Sequence, residues 1–348
     1  MKLHQGCRGS RRFLGHLYWY AFIAVLIQTS LGRAEKTRLF EFSYKAKIEK
    51  APLAKEVRLW LPYPQTDENQ EILDMEVKAP AGASVYREPL HNNLILYVSV
   101  GDPGVFPMEV EMRFKILRRE YVHRDFDKAI AGADRRMPAE IEKYRRPTAR
   151  EPLNEQIRVW AEEVTRGKKT DLEKARAIYD YALANLKYDK SGKGWGQGDL
   201  LYICDQKRGN CTDFHALFSG FTRAVGIPAR FSIGFPLPET RGEGEIPGYH
   251  CWAEFYLNGY GWVPIDASEA WKNPAKREYF FGAHDENRVQ FSTGRDLVLR
   301  PRQSGRPLNY FIYPYGEADG KPVEGISYKF YFQDIPSEES GAGKGAPR

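Results

Sequence analysis

Alternating apolar and polar positions characterise the chain between residues 36 and 120. Because successive side chains of a strand point to opposite faces, this period of two predicts strands with one buried face each. The predicted buried faces consist of Phe40, Phe42, Tyr44, Ala46 and Ile48, then Val57, Leu59 and Leu61, then Met108, Val110, Met112, Phe114 and Ile116. Pro, Gly and Asn separate the runs, so the pattern predicts a small antiparallel β-domain over residues 36–120.

The pattern changes to helical spacing after about residue 125, where a second domain is predicted over residues 125–315. Helices are predicted around Ile157–Val164, after a capping box at Thr170–Glu173, and from Cys211 onward. Strands are predicted around Phe231–Phe235, over residues 249–257 and 260–266, and in the aromatic stretches Leu308–Tyr315 and Tyr328–Phe332, with the last ending at about residue 335. A mobile loop, which can act as a gate, is predicted at the Gly- and Pro-rich stretch Pro236–Gly248.

Charge is concentrated at the N-terminus. Lys and Arg total 52 and Asp and Glu total 46, but five of the basic residues lie in the first 34 positions, which contain no acidic residue. The rest of the chain therefore has 47 basic residues against 46 acidic ones. Such a balance gives no basic surface for nucleic acid, so we expect no nucleic-acid partner.

The first 34 residues have the pattern of an export signal. Basic residues precede the apolar run Leu17–Ile27, and Gly32-Arg33-Ala34 is a small-x-small cleavage pattern. We expect cleavage near Ala34 and a periplasmic or secreted protein, attached to a membrane only if the segment is not cleaved. The segment Ser10–Leu14 is similar to a twin-arginine signal, which leaves the export route open. The polar tail 337–348 is predicted to be disordered.

Three cysteines follow the predicted signal: Cys204, Cys211 and Cys251. An odd number leaves at least one thiol unpaired within the monomer, and the sequence does not decide whether Cys204 and Cys251 form a disulfide. Cys251 lies on the apolar face of its predicted strand, which raises the pKa of a thiol.

Cys211 lies at the predicted start of a buried helix, within Gly209-Asn210-Cys211-Thr212-Asp213. Asn210 is a good N-cap and Asp213 is placed to bond back to it. The helix dipole and the free N–H groups of the first turn favour a thiolate and can face a developing oxyanion. A lone cysteine in this position is more often structural, so a partner is needed to support a catalytic interpretation.

His250 and Asp266 are the predicted partners of Cys211. His250 and Trp252 share one strand face, and Asp266 ends a neighbouring apolar strand, where a carboxylate needs a partner. A two-residue turn at Asn258-Gly259 would put Asp266 on the face of Cys251. Contact with His250 therefore predicts an odd loop, such as 258–260, or a bulge.

Taken together, these segments resemble the transglutaminase-core family. The matching residues are Gly209-Asn210-Cys211, Gly226-Ile227-Pro228-Ala229-Arg230, His250-Cys251-Trp252-Ala253-Glu254 and Gly261-Trp262-Val263-Pro264-Ile265-Asp266. The resemblance covers about residues 170–270. It implies an α+β, papain-like fold with a helix packed on an antiparallel sheet, and a triad in which Cys211 attacks, His250 transfers protons and Asp266 orients His250.

The resemblance also implies an acyl-thioester and thiol-dependent hydrolysis or acyl transfer at an amide bond of a peptide or protein. The alternative is an exported protein- or peptide-binding module that keeps the fold without turnover. Trp195 and Gln197, in the Gly-rich stretch before Cys211, are candidate oxyanion partners. His215 has no role in the family pattern, and the spacing of Cys and His disfavours zinc, so no metal or cofactor is expected.

Overall fold

The computed structural model describes residues 36–50, 54–80, 82–101, 106–126 and 137–336. The predicted signal peptide 1–34 and the predicted tail 337–348 lie outside the described residues. Within the described part of the chain, no helix is long and apolar enough to cross a membrane.

Eighteen strands and six helices make up the described fold. The strands are β1 Thr37–Ile48, β2 Glu56–Tyr63, β3 Gln70–Lys78, β4 Ser84–Arg87, β5 Leu94–Gly101, β6 Met108–Arg119, β7 Tyr121–Val122, β8 Lys187–Tyr188, β9 Arg208–Gly209, β10 Ala229–Pro236, β11 Glu243–Glu245, β12 His250–Leu257, β13 Gly261–Ile265, β14 Ala283–His284, β15 Arg288–Thr293, β16 Tyr315–Ala318, β17 Lys321–Pro322 and β18 Ser327–Asp334. The helices are α1 Ala139–Glu142, α2 Glu155–Val164, α3 Asp171–Asn185, α4 Leu200–Gln206, α5 Cys211–Ala224 and α6 Ala267–Lys272. Two 3-10 turns cover Lys143–Arg145 and Pro274–Lys276.

Three antiparallel sheets contain the longer strands. The first has the order β11-β18-β1-β6-β3, the second β17-β16-β2-β5-β4 and the third β13-β12-β10-β15. The alternation predicted for β1, β2 and β6 is confirmed, because all of the residues predicted on their inner faces are buried. Their apolar side chains share one core with Phe231, Ile233 and Phe235 of β10.

Strands from both ends of the described chain share a sheet. Along β1, one edge pairs with β6 and the other with the C-terminal strand β18, with Phe42 opposite both Phe114 and Phe332. The strand β11 also pairs with β18. The sequence had predicted a loop over the whole stretch Pro236–Gly248, and that prediction is wrong for the residues of β11. The domain boundary near residues 120–125 stays a prediction.

The helix α5 packs on the third sheet, and every residue of α5 is buried. Its apolar residues Phe214, Phe218 and Phe221 share a core with Ala253 and Phe255 of β12. Burial of aromatic side chains on this scale is a main source of stability, so α5 and β12 are held in a fixed relation. This packing positions Cys211 at the start of α5 and His250 at the start of β12.

One predicted strand is wrong. The aromatic stretch Leu308–Tyr315 forms only a single bridge, between Leu308 and Leu297, before β16 starts at its last residue. Phe311 and Ile312 are buried, and their carbonyl groups accept hydrogen bonds from Ser292 Oγ and Tyr44 Oη. The stretch fills the core, and hydrogen bonds from side chains, rather than from a neighbouring strand, satisfy these two backbone carbonyl groups.

Candidate active site

The start of α5 has the predicted capping box. Asn210 Oδ1 accepts a hydrogen bond from Thr212 N at 2.9 Å, and Asp213 Oδ2 accepts one from Asn210 N at 2.8 Å. These contacts satisfy two backbone N–H groups that a helix start otherwise leaves without partners. Cys211, the first residue of α5, is 2% exposed.

Asp213 also holds the Gly-rich segment that precedes the helix. Its carboxylate accepts hydrogen bonds from Gly196 N at 2.6 Å and Gly198 N at 3.0 Å. Gly209 faces the same carboxylate, and a Cβ at this position would lie 2.1 Å from Asp213 Oδ2, so glycine is required. The segment is therefore anchored at the first turn of α5 by its backbone.

The two oxyanion candidates lie in that anchored segment. Trp195 is half-buried, and Lys190 Nζ lies 6.0 Å from the centre of its ring. Gln197 is exposed, and its carbonyl group accepts hydrogen bonds from Asn309 Nδ2 at 2.8 Å and Arg295 Nη1 at 3.3 Å. The backbone of Gln197 is thus fixed, and the oxyanion role of either residue stays a prediction.

The hairpin between β12 and β13 has the odd loop that contact between His250 and Asp266 was predicted to need. Leu257 pairs with Gly261 and Ala253 with Ile265, which leaves a three-residue loop, 258–260. The register prediction is confirmed. Asp266 follows β13 directly and is the N-cap of α6, where its side chain accepts a hydrogen bond from Glu269 N.

Asp266 joins His250 in a fully buried ion pair. His250 Nε2 lies 2.7 Å from Asp266 Oδ2, and Arg288 Nη1 donates to the same oxygen at 3.0 Å. The other oxygen accepts from Ser268 Oγ at 3.2 Å and Glu269 N at 3.1 Å. Burial raises the pKa of Asp266, but the charge of His250, hydrogen bonds from the neighbouring histidines and the charge of Arg288 hold that pKa well below its usual value.

Cys211 and His250 affect each other's ionisation. A hydrogen bond from Cys251 holds the pKa of the Cys211 thiol well below its usual value despite burial, and His250 lowers it further by hydrogen bonding and by charge. Burial lowers the pKa of His250, but Asp266 and then Cys211 outweigh burial and raise it to about 10. A thiolate–imidazolium pair is the state that these shifts favour at neutral pH.

Cys251 and His215 adjoin this pair, although neither was predicted to belong to the site. Cys251 Sγ lies 3.6 Å from His215 Nδ1 and 3.8 Å from Thr212 Oγ1. The sequence had predicted apolar surroundings for Cys251, but these two neighbours are polar. Burial nevertheless raises its pKa well above the usual value, in the predicted direction. His215 is spaced four residues from Cys211 and so shares its helix face, which was the available signal.

Two further residues hold the site and lack a sequence signal. Arg288, on β15, is 3% exposed and lies 5.0 Å above the ring of Trp252 while it binds Asp266. Tyr249 contacts the start of α5 through its hydroxyl group, 3.0 Å from Asn210 Nδ2 and 2.8 Å from Thr212 Oγ1. The structure thus brings His250 and Asp266 together as predicted and adds an arginine and a tyrosine.

The described cysteines form no disulfide, and the described side chains form no metal site. Cys204 and Cys251 do not form a disulfide, and all three described cysteines are free. Burial raises the pKa of half-buried Cys204 to about 12. Among the described residues, no group of three or more His, Cys, Asp or Glu side chains is arranged to hold a metal ion.

The fold is similar to that of papain-like proteins, and part of the chain resembles a transglutaminase-like core. Residues 158–267 match the model of the transglutaminase-like superfamily. Over 87% of this chain and 92% of the other, the fold is similar to the crystal structure of a proposed cysteine protease from Cytophaga hutchinsonii, with a TM-score of 0.58 and 14% identity. The resemblance to the superfamily and the predicted α+β fold are confirmed: the chain carries a transglutaminase-like core.

Two curated proteins are similar in sequence. An uncharacterized protein of Haemophilus influenzae is 33% identical over 206 residues, which are 50% of this chain and 56% of that protein. The uncharacterized protein YebA of Bacillus subtilis is 27% identical over 138 residues, 36% of this chain and 19% of YebA. The chain therefore matches about half of the first relative and less of the second.

Proposed function

We propose that this protein is a cysteine enzyme that hydrolyses, or transfers the acyl group of, an amide bond in a peptide or protein. One observation carries the proposal. Cys211 begins a buried helix and bonds His250, and His250 Nε2 lies 2.7 Å from the buried carboxylate of Asp266. A nucleophile, a base and a group that orients the base are the parts that acyl transfer needs.

The proposed reaction has two stages. The Cys211 thiolate adds to the substrate carbonyl carbon, and N–H groups of the first turn of α5 face the developing oxyanion, with Trp195 and Gln197 as further candidates. The C–N bond then breaks, and the His250 imidazolium gives its proton to the leaving amine. The resulting acyl-thioester is attacked by water or by an amine, His250 takes the proton, and the C–S bond breaks to restore the thiolate.

The alternative function is an exported binding module without turnover. The low exposure of the site favours it, because Cys211 is 2% and His250 5% exposed, so a substrate needs some opening of the surface to reach the thiol. The depressed pKa of the Cys211 thiol argues for the enzyme, since a thiol kept only for packing has its pKa raised by burial.

Export remains part of the proposal, and it rests on the sequence of the first 34 residues. A triad enzyme of this kind would act on peptides or proteins of the periplasm or the medium. Whether water or an amine accepts the acyl group depends on the substrate, and hydrolysis is the simpler outcome because water is always present.

The rate of alkylation of Cys211 as a function of pH tests the enzyme proposal. The variant Cys204→Ala removes a competing thiol and keeps Cys251, whose hydrogen bond lowers the pKa of Cys211. In this variant Cys211, followed by mass spectrometry of its peptide, should react with iodoacetamide well below pH 7, because ordinary thiols with a pKa of about 8.5 are mostly protonated there. Replacing His250 by Ala should move the profile to higher pH. If Cys211 ionises like an ordinary thiol and His250→Ala leaves its profile unchanged, the binding module replaces the enzyme.

A further inference from the structure

A cavity lies on the face of the third sheet that α5 does not cover. Its volume is about 420 Å³, and Trp252 and Glu254 of β12 line it. These two residues alternate along β12 with Ala253 and Phe255, which pack in the core of α5. The cavity, here called the Arg118 cavity, is lined by neither Cys211, His250 nor Asp266, and its volume lies in the usual range for small-ligand sites.

The cavity is lined by a buried cation, Arg118, that has no carboxylate of the described residues in direct contact and is stabilised by the charges of Asp67, Asp285 and Glu254 only from farther away. Arg118 is 2% exposed, and none of the carboxylates in the described part of the chain lies within 4.0 Å of its guanidinium. Its Nε has no hydrogen-bond acceptor, and its Nη1 reaches only Gln70 Oε1, at 3.4 Å. A buried charge is costly without a partner, so the position of Arg118 favours an anion in the cavity.

A second buried polar group faces the same cavity. His284 is fully buried and its Nδ1 has no hydrogen-bond partner, while its Nε2 lies 3.5 Å from Ile265 O. The ring also contacts Trp252, with the ring centres 5.3 Å apart. Arg118 and His284 thus line one cavity, and each has a buried nitrogen without a hydrogen-bond partner, which folded proteins seldom leave unsatisfied.

Acidic residues at the mouth of the cavity limit the net negative charge that a ligand can carry. Asp67 and Glu68 are exposed and line the cavity with Arg118. A third carboxylate, Glu254, is already bound to Arg230 at 2.6 and 2.9 Å. A ligand with several negative charges would be repelled at the mouth, whereas a ligand with one negative and one positive group would match both ends.

We propose that the Arg118 cavity binds a small zwitterion with a free carboxylate and an ammonium group, as in an amino acid or a dipeptide. The carboxylate binds the Arg118 guanidinium at the floor, and the ammonium group faces Asp67 and Glu68 at the mouth. The indole rings of Trp252 and Trp262 provide apolar walls for the ligand side chain. This site goes beyond the proposed amide chemistry and does not depend on it.

Calorimetric titration with three related dipeptides tests the proposal. The probes are L-alanyl-L-alanine, its C-terminal amide and its N-acetyl derivative. The free dipeptide should bind, and each blocked derivative should bind at least about tenfold more weakly, because each loses one charged contact. Equal binding of all three, or no heat from the free dipeptide at 10 mM or so, would overturn the proposal.

Variants place the binding and separate it from the Cys211 site. Arg118→Met should remove binding of the free dipeptide, whereas Arg119→Met should not, because Arg119 points away on the same strand and pairs with Glu71 at 3.2 Å. Protein with Cys211 replaced by Ala should bind as the wild type does. If Arg118→Met does not fold, Arg118→Lys keeps the charge and should weaken binding about tenfold or less. Binding that is lost with Cys211 but kept in the Arg118 variants would contradict the assignment.

Discussion

Two fully buried carboxylates, Asp266 and Glu151, have similar surroundings and different consequences. Each is completely inaccessible to solvent. Asp266 contacts His250 and Arg288, and Glu151 contacts Arg223 and, at 2.9 Å, Arg295. Burial and charge pairing are therefore shared by both clusters and do not by themselves identify a catalytic centre.

The difference lies in what the partners can do with a proton. Glu151 is held by two arginines, and a guanidinium group does not serve as a proton donor or acceptor in proteins. Asp266 is held partly by His250, whose pKa is raised to about 10 and which in turn adjoins the Cys211 thiol. A buried ion cluster indicates chemistry only where a titratable partner connects the carboxylate to a nucleophile.

Asp266→Asn should have the largest effect. Without the carboxylate charge the pKa of His250 falls, the imidazolium no longer stabilises the thiolate, and the asparagine amide favours the wrong ring tautomer. Turnover of an amide substrate should fall by about 10⁴-fold, as for a comparable triad carboxylate. The alkylation profile of Cys211 should move to higher pH, and an unchanged profile would contradict the role of Asp266.

Glu151→Gln should affect stability and not reactivity. The change leaves two buried arginines facing a neutral amide, so the free energy of unfolding in urea should fall by about 3–5 kcal/mol. The alkylation profile of Cys211 should stay that of the wild type. Glu142→Gln is the matched control, since its pair with Arg145 is exposed and should contribute less than about 1 kcal/mol. A large shift in the alkylation profile of Glu151→Gln would show that the two clusters are coupled.

Local patterns predicted much of this site because its main parts lie in short segments. The capping box at Asn210 and Asp213 fixed the start of α5, and the need of a buried Asp266 for a partner indicated the loop 258–260. Alternation along β1 and β6 gave their buried faces correctly. Such features depend on neighbours within a few residues, and the sequence displays those neighbours directly.

Features that depend on distant segments were not predictable. Arg288 reaches Asp266 from β15, and Cys251 meets His215 and Thr212 only because β12 packs on α5. The pairing of β1 with β18 has no local pattern either. The stretch Leu308–Tyr315 was misassigned because a run of aromatic residues suits a strand and a core-filling segment equally, and burial alone does not separate them.

Cys251→Ala should have the smallest effect, and it tests how the surroundings of the Asp266 cluster act on the Cys211 thiol, because Cys251 contacts His215 and bonds Cys211. Burial raises the pKa of Cys251 well above its usual value, so it remains protonated and can donate its S–H to the Cys211 thiolate at any pH that favours the ion pair. Loss of that donor should raise the pKa of Cys211. The alkylation rate at about pH 6 should then fall about threefold to tenfold, the contribution of one weak hydrogen bond to a charged group, while the rate at alkaline pH stays constant.

Cys251→Ser keeps a donor and should lie nearer to the wild type, and Cys204→Ala, which alters a half-buried thiol on α4, should match the wild type. An equal loss of rate at every pH would instead indicate a disturbed packing of β12 on α5, and no loss at any pH would show that His250 alone maintains the thiolate.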